Sequence, residues 1–238
     1  MSKARSCMRE AIFLPPRYKG WRRSFDDLVA EKLTPGCAVL DVGAGCNPTL
    51  PPHRRARVKH YAALDRSAIE LAKAPKGSYD ETWQSDIVSR CAGLENRFDL
   101  VVSWQVLEHV KPLRSAIDNI RSYLRPGGCF IASLSGAFSV YALINRLVPA
   151  RFGVWAMYRF LARDPQTVFP AYYDRCWHSA LHELMKQWSI WEIRPFYNGA
   201  MYFNFSPVLR KLYLRYEEWA LTTGRVNLAT HYLIYSIK

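Results

Sequence analysis

What this sequence lacks narrows it first. None of its six cysteines (Cys7, Cys37, Cys46, Cys91, Cys129, Cys176) belongs to a C-x-x-C pair. That disfavours a zinc-ribbon or thioredoxin-like motif, and the scatter reads as reduced thiols in a cytosolic protein. No stretch is long and apolar enough to span a bilayer. The nearest, Cys129 to Ile144, is interrupted by Ser133, Ser135, Gly136 and Ser139. The N-terminus has no apolar run with a small-residue cleavage site, so a cytoplasmic location is expected, with membrane association left open. Internal repeats, low-complexity tracts and a G-x-x-x-x-G-K-[ST] loop are all missing, which excludes repeat arrays and a P-loop triphosphate site. Acidic residues are scarce: 20 Asp plus Glu stand against 33 Lys plus Arg, a formal net charge of +13.

That excess suits an anionic partner, or simply a basic enzyme. It collects near the N-terminus and in the run HRRARVKH from His53 to His60. Neither run is interleaved with the aromatic ladder of a single-strand binder, which disfavours nucleic acid. Half of the 238 residues are hydrophobic, enough for a substantial core.

Periodicity gives the architecture. Trp21, Phe25, Leu28, Val29 and Leu33 mark one face of a helix over 20–34, ended by Pro35-Gly36. Strands are expected at Ala38–Val42, Tyr61–Leu64, Thr82–Gln84, Phe98–Ser103 and Cys129–Leu134, with helices at Ser67–Lys73 and Leu113–Leu124 between them. Such alternation predicts an α/β fold, a parallel sheet covered on both faces. After Ser135 the pattern changes. Residues 136–163 interleave aromatics with Arg146, Arg151, Arg159 and Arg163, as in a basic amphipathic helix split at Pro149. Helices at 177–187 and 206–223 and strands at Ile190–Arg194 and His231–Ile237 bring the strand count to seven.

The chemistry concentrates at strand ends. VLDVGAGCNP (Val39 to Pro48) carries Gly43 and Gly45, which permit a tight turn and close approach to a ligand. The dinucleotide fingerprint needs a third glycine where Pro48 stands, which disfavours a dehydrogenase. Asp41, Asp65 and Asp86 fall at the carboxyl ends of strands, where open α/β sheets bind ligands. Asp99 is expected to stabilise the start of its strand. Glu108-His109 lies just past the fourth strand, and a neutral imidazole can take a proton near pH 7. His178 and His182 share a helix face at i, i+4, without a third metal ligand nearby. Tyr172, Tyr173, Arg175 and His178 form a polar cluster able to orient an acceptor, or an ordinary loop capping a helix.

The order VLDVGAGCNP, AALDRS, SDI, FDLVVSWQVLEHV and LRPGG resembles class I S-adenosylmethionine-dependent methyltransferases, most closely the type 11 methyltransferase-domain group. The resemblance covers residues 20–135 well and the rest in outline. It implies a Rossmann-like, mostly parallel seven-stranded sheet in one domain: a cofactor core at 20–135, a helical lid at 136–188 inserted after the fifth strand, and C-terminal elements at 189–238. It also implies that S-adenosylmethionine binds, leaving S-adenosylhomocysteine as product. Asp41, Gly43, Ala44 and Gly45 match the loop at the methionine part, Asp65 the ribose acid and Arg66 its neighbour at the adenine. Asp86 and Ile87 match the pair that reads and covers the adenine, and Ser103, Trp104 and Gln105 the segment beside the sulfonium. Asn47 departs from the family, which often has a glycine there. Ubiquinone-pathway O-methyltransferases are similar at Gln105 to His109 but hold a divalent metal with Glu-x-x-Glu-His; an amide at Gln105 is a poorer ligand, so no metal is expected.

The expectation is O-methylation of a small-molecule acceptor, a sugar, glycolipid or aromatic metabolite, with His109 as base beside Glu108. N- or C-methylation of a metabolite, or methylation of a nucleic acid or protein, is the alternative. A degenerate scaffold that only binds is the non-enzymatic one. The aromatic, basic segment after Ser135 suits an amphiphilic or anionic acceptor, or contact with a membrane surface.

Overall fold

In a computed structural model of the chain, the described residues are 15–140, 142–143 and 170–238. Seven strands form one sheet: β1 (Ala38–Val42), β2 (His60–Asp65), β3 (Glu81–Gln84), β4 (Phe98–Trp104), β5 (Leu124–Ser135), β6 (Ile190–Phe196) and β7 (His231–Ile237). Their order is β3-β2-β1-β4-β5-β7-β6. The first five run parallel, and β7 is antiparallel to both β5 and β6. β1, buried along its whole length, is a short apolar run because both of its faces are covered.

The α-helices among the described residues are α1 (Trp21–Lys32), α2 (Pro52–Arg55), α3 (Ala68–Ala72), α4 (Leu113–Tyr123), α5 (His178–Met185) and α6 (Pro207–Thr222). Alternate residues of each central strand feed opposite faces of the sheet. On one face Phe25, Leu28 and Val29 of α1 pack with Val39, Val102 and Ile131. On the other, Ala116, Ile117 and Ile120 of α4 and Leu181 and Leu184 of α5 pack with Leu40, Val101 and Phe130. The 3.6-residue period of α4 puts its apolar groups on that single face. No side chain of its own caps α4; Asp174 does so from a distance, accepting from Leu113 N at 2.8 Å.

Two expectations shift. β5 starts at Leu124 rather than Cys129, because Leu124 pairs with Phe98 ahead of a register shift between Phe98 and Leu100. The basic run after Pro51 contains the short α2, whose Pro52 suits a first helical turn. Asp99 accepts from Ala38 N at 2.7 Å and pairs with Arg125, tying the start of β4 to β1 and β5. The lid expected over 136–188 falls largely on residues 141 and 144–169, outside the described residues, as does the amphipathic pair split at Pro149. Among the described residues no helix is long and apolar enough to cross a membrane.

Candidate active site

A cavity of about 790 Å³ opens at the carboxyl ends of β1, β2, β3 and β4, a size that suits one extended small ligand. Its floor is the turn after β1. Gly43 N donates to Leu64 O at 2.8 Å, so the chain folds back over β2 at once. Gly43 sits at φ +71°, and a Cβ there would lie 2.3 Å from a methyl of Val106. Glycine is therefore required twice, for conformation and for space. Gly45, at φ +50°, donates its N–H to Asp65 Oδ2 at 2.9 Å. Asp65 Oδ1 accepts from Ser67 N at 2.8 Å. One carboxylate thus clamps the glycine turn to the start of α3 while facing the cavity. A carboxylate has about four lone-pair sites, so it retains capacity for a vicinal diol.

Arg66, Asp86, Ile87, Trp104, Gln105 and His109 also line the cavity, with Ala44 beside the two glycines. Val88 N donates to Asp86 Oδ1 at 3.1 Å, and Asn119 Nδ2 to Ile87 O at 2.7 Å, fixing that loop over α4. Trp104 is held from outside by α1: the Trp21 ring stacks on it at 4.8 Å, and the Arg22 guanidinium lies 4.0 Å from its ring centre. Gln105 takes the left-handed region at φ +55°. Its amide is engaged at both ends, donating to Ser133 Oγ at 3.2 Å and accepting from Ser135 Oγ at 2.9 Å. Among the described residues no group of three or more His, Cys, Asp or Glu could hold a metal ion.

Other expected site residues stand behind the wall rather than in it. Asp41 is fully buried and accepts from Thr49 N, Thr49 Oγ1 and the Tyr61 hydroxyl, so it shapes the turn from beneath. Burial pushes its carboxyl up to about 6, against the lowering effect of Tyr61 and Thr49. Burial first, and then the Asp41 charge, keeps the Tyr61 phenol protonated and donating. Ser103 is buried and donates to Val42 O at 3.1 Å. Glu108 is buried too; its Oε1 accepts from Ser135 N at 3.3 Å and shares the one Ser135 Oγ proton, at 2.8 Å, with Gln105 Oε1, while Oε2 has no partner among the described residues. Burial raises its carboxyl above the ordinary value.

Of the expected acceptor cluster, only Tyr172 lines the cavity. Tyr173 at φ +51° and Arg175 at φ +56° turn the chain so that Tyr173 points into the core and Arg175 faces outward. His178 opens α5, with its ring 6.3 Å from that of Tyr232; burial, with His182, lowers its basicity. The backbone N–H groups of Tyr172 and Tyr173 both donate to Glu108 O at 2.9 Å. This holds the returning chain against His109, whose Nδ1 lies 3.1 Å from Pro170 O. Arg22, Cys46, Glu70, Val106 and Lys111 line the cavity without having been expected there. Arg22 was legible only as a charge beside the apolar stripe of α1.

Comparisons with known proteins show the family and the fold. A family profile described as a methyltransferase domain matches residues 15–198. The chain is 28% identical over 135 residues to an mRNA cap guanine-N(7) methyltransferase of Cryptococcus neoformans, covering 48% of this chain and 19% of that protein. It is 30% identical over 103 residues to a ubiquinone biosynthesis O-methyltransferase of Nitrobacter winogradskyi, covering 41% and 38%. The chain thus spans well under half the length of either curated relative. Among solved structures, phosphoethanolamine N-methyltransferase 2 of Haemonchus contortus superposes with a TM-score of 0.55 at 16% identity, over 92% of this chain and 53% of that one. An S-adenosylmethionine-dependent methyltransferase of Mesorhizobium loti gives 0.53 at 15% identity, over 93% and 100%. These two likenesses are of fold.

Proposed function

Because the chain belongs to the methyltransferase-domain family, we propose that it transfers a methyl group from S-adenosylmethionine to the hydroxyl of a small-molecule acceptor, with His109 as general base. The residues present suit that cofactor. In this reading the Asp65 carboxylate would hold a ribose diol, Asp86 and Ile87 the adenine, and the Gly43–Gly45 turn the methionine part; all of them line the cavity. The bound sulfonium would supply an electrophilic methyl group and leave as a thioether.

The observation that carries the base assignment is the contact of His109 Nδ1 with Pro170 O at 3.1 Å. A carbonyl oxygen only accepts, so Nδ1 carries a proton, and in the neutral imidazole that leaves the lone pair on Nε2. His109 lines the same cavity as Asp65 and Asp86, so an acceptor hydroxyl beside it can pass its proton to Nε2 as the new O–C bond forms. Trp104 and Tyr172 line the same cavity and offer aromatic surface to an acceptor. Glu108 acts through position: its carbonyl oxygen anchors Tyr172 and Tyr173, and its carboxyl anchors Ser135.

A labelled-methyl transfer screen over glycan, phenol and amine acceptors tests the reading, and a phenol or sugar hydroxyl is expected to take the label. With that acceptor, His109→Ala should lower turnover by about 10²–10⁴-fold while calorimetry shows unchanged S-adenosylmethionine binding. Unchanged turnover would remove His109 as base.

A further inference from the structure

α6 carries two apolar faces, and among the described residues only one is packed into the fold. Tyr213, Glu217 and Ala220 point inward and are buried. About 100° around the helix, Val208, Leu212 and Trp219 fall on one line at i, i+4 and i+11, with Leu209 and Tyr216 beside them. Val208 is 69%, Leu212 55% and Trp219 48% exposed. The turn before the helix continues the stripe: Phe205 is 78% exposed and Met201 48%. Isolated exposed apolar groups are ordinary, but a contiguous line of large ones marks an interaction surface.

The chemistry of the stripe selects the partner. It is aromatic: Phe205, Tyr216 and Trp219 stand along it, their rings beside those of Phe203 and the buried Tyr213. It is also edged by cations. Lys211 and Arg215 lie exposed along its border, and the Arg225 guanidinium sits 5.9 Å from the Trp219 ring centre. Trp and Tyr with flanking Lys and Arg are the groups that settle at the boundary between lipid headgroups and acyl chains. A chain of net charge +13 is drawn to an anionic leaflet in the same sense. The stripe is also well placed. Phe196, which leads into the 199–203 turn, pairs with His231, and His231 pairs with Ser135 at the carboxyl end of β5. It thus begins at the edge of the sheet where the cavity opens.

We infer that the Met201–Trp219 face docks on an anionic lipid surface, with the apolar stripe at the headgroup boundary and Lys211, Arg215 and Arg225 against the phosphates. The inference is independent of the methyl-transfer reading, because vesicle binding needs neither cofactor nor acceptor.

The test is co-sedimentation of the full chain with phosphatidylserine–phosphatidylcholine vesicles and with pure phosphatidylcholine vesicles. Binding to the anionic vesicles that weakens with added salt is expected. Lys211→Glu with Arg215→Glu should reduce it by roughly 30-fold or more, since each nearby cation contributes about fivefold. Val208→Ser with Leu212→Ser should reduce it by on the order of tenfold. Both pairs are solvent-facing, so circular dichroism and the melting temperature should stay at the wild-type values. No binding to anionic vesicles, or binding that both variants retain, overturns the inference. So does a dimer that Val208→Ser with Leu212→Ser dissociates, which would assign the stripe to a second copy.

Discussion

Replacing Gly43 by alanine tests whether the turn under the cavity is as tightly constrained as it looks. Two costs combine. At φ +71° an L-residue is strained, which costs about 1–2 kcal/mol. The new Cβ would also meet Val106 at 2.3 Å and 2.5 Å from its methyls and 2.9 Å from its own Cβ. Val106 is β-branched, and rotating it moves the methyls but not its Cβ, so the loop after β4 must give way. Overpacking of this kind costs about 1–3 kcal/mol. The sum, about 2–5 kcal/mol, is a large share of the roughly 5–15 kcal/mol that holds a domain together. Urea unfolding of Gly43→Ala should show that loss, and calorimetry should show weakened S-adenosylmethionine binding. Val106→Ala removes the two methyl contacts and leaves the one at 2.9 Å. The double variant should therefore recover about 1–2 kcal/mol relative to additivity, with the backbone strain remaining. Additive losses, within about 0.5 kcal/mol, would refute the steric part of the argument.

Two further outcomes follow from the same site. Asp65→Ala removes the acceptor for both Gly45 N and Ser67 N; S-adenosylmethionine affinity should fall by about 10–100-fold, given about 1.5–3 kcal/mol per hydrogen bond to a charge. An unchanged Kd by calorimetry counts against the clamp. Asp41→Asn tests the buried carboxyl, whose value rises from 3.8 to about 6 on folding. A raised value favours the protonated form in the fold, so this contribution to stability is full below about 4 and is lost as pH rises through about 6. Asparagine does not titrate, and its oxygen can accept from Thr49 N and the Tyr61 hydroxyl while its amide donates to Thr49 Oγ1. Thermal melts should show the wild type losing stability relative to the variant from pH 4 to pH 7, so that the wild-type-minus-variant difference falls by on the order of 3 kcal/mol. The subtraction cancels Glu217, raised to about 7, and His231, lowered to about 3, both mainly by burial. A flat difference would mean that Asp41 folds with an unperturbed carboxyl.

The elements that sequence periodicity reveals are those whose burial is nearly uniform. β1 and β4 read as strands because both faces are covered, and α4 because Leu113, Ala116, Ile117 and Ile120 keep one face. The start of β5 was hidden because Arg125 to Gly127 are exposed turn-like residues, while the pairing of Leu124 with Phe98 is a tertiary fact. At the site, Asp65 and Asp86 were legible because strand ends place them. The roles of Asp41 and Tyr61 were not. Their hydrogen bond joins adjacent strands across 20 residues, and Tyr61 stands in an otherwise apolar run. Tyr173 and Arg175 failed to show their directions for a similar reason. Each takes a positive φ without being glycine, and nothing in the residue type announces that.

The bonds that gather the chain around Glu108 have a consequence for how such a protein can change over time. Ala137 N donates to Cys176 O at 2.7 Å, Tyr172 and Tyr173 hang from Glu108 O, and Asp174 caps Leu113. Residues 137 and 172–174 are therefore fastened beside Glu108, mainly by backbone groups that any sequence supplies. Because main-chain groups make most of them, side-chain substitutions at Ala137, Tyr172 and Tyr173 leave these fastenings in place. The glycine turn and the Asp65 carboxylate share none of these bonds, so the cavity floor and the rim at Tyr172 can vary independently of each other.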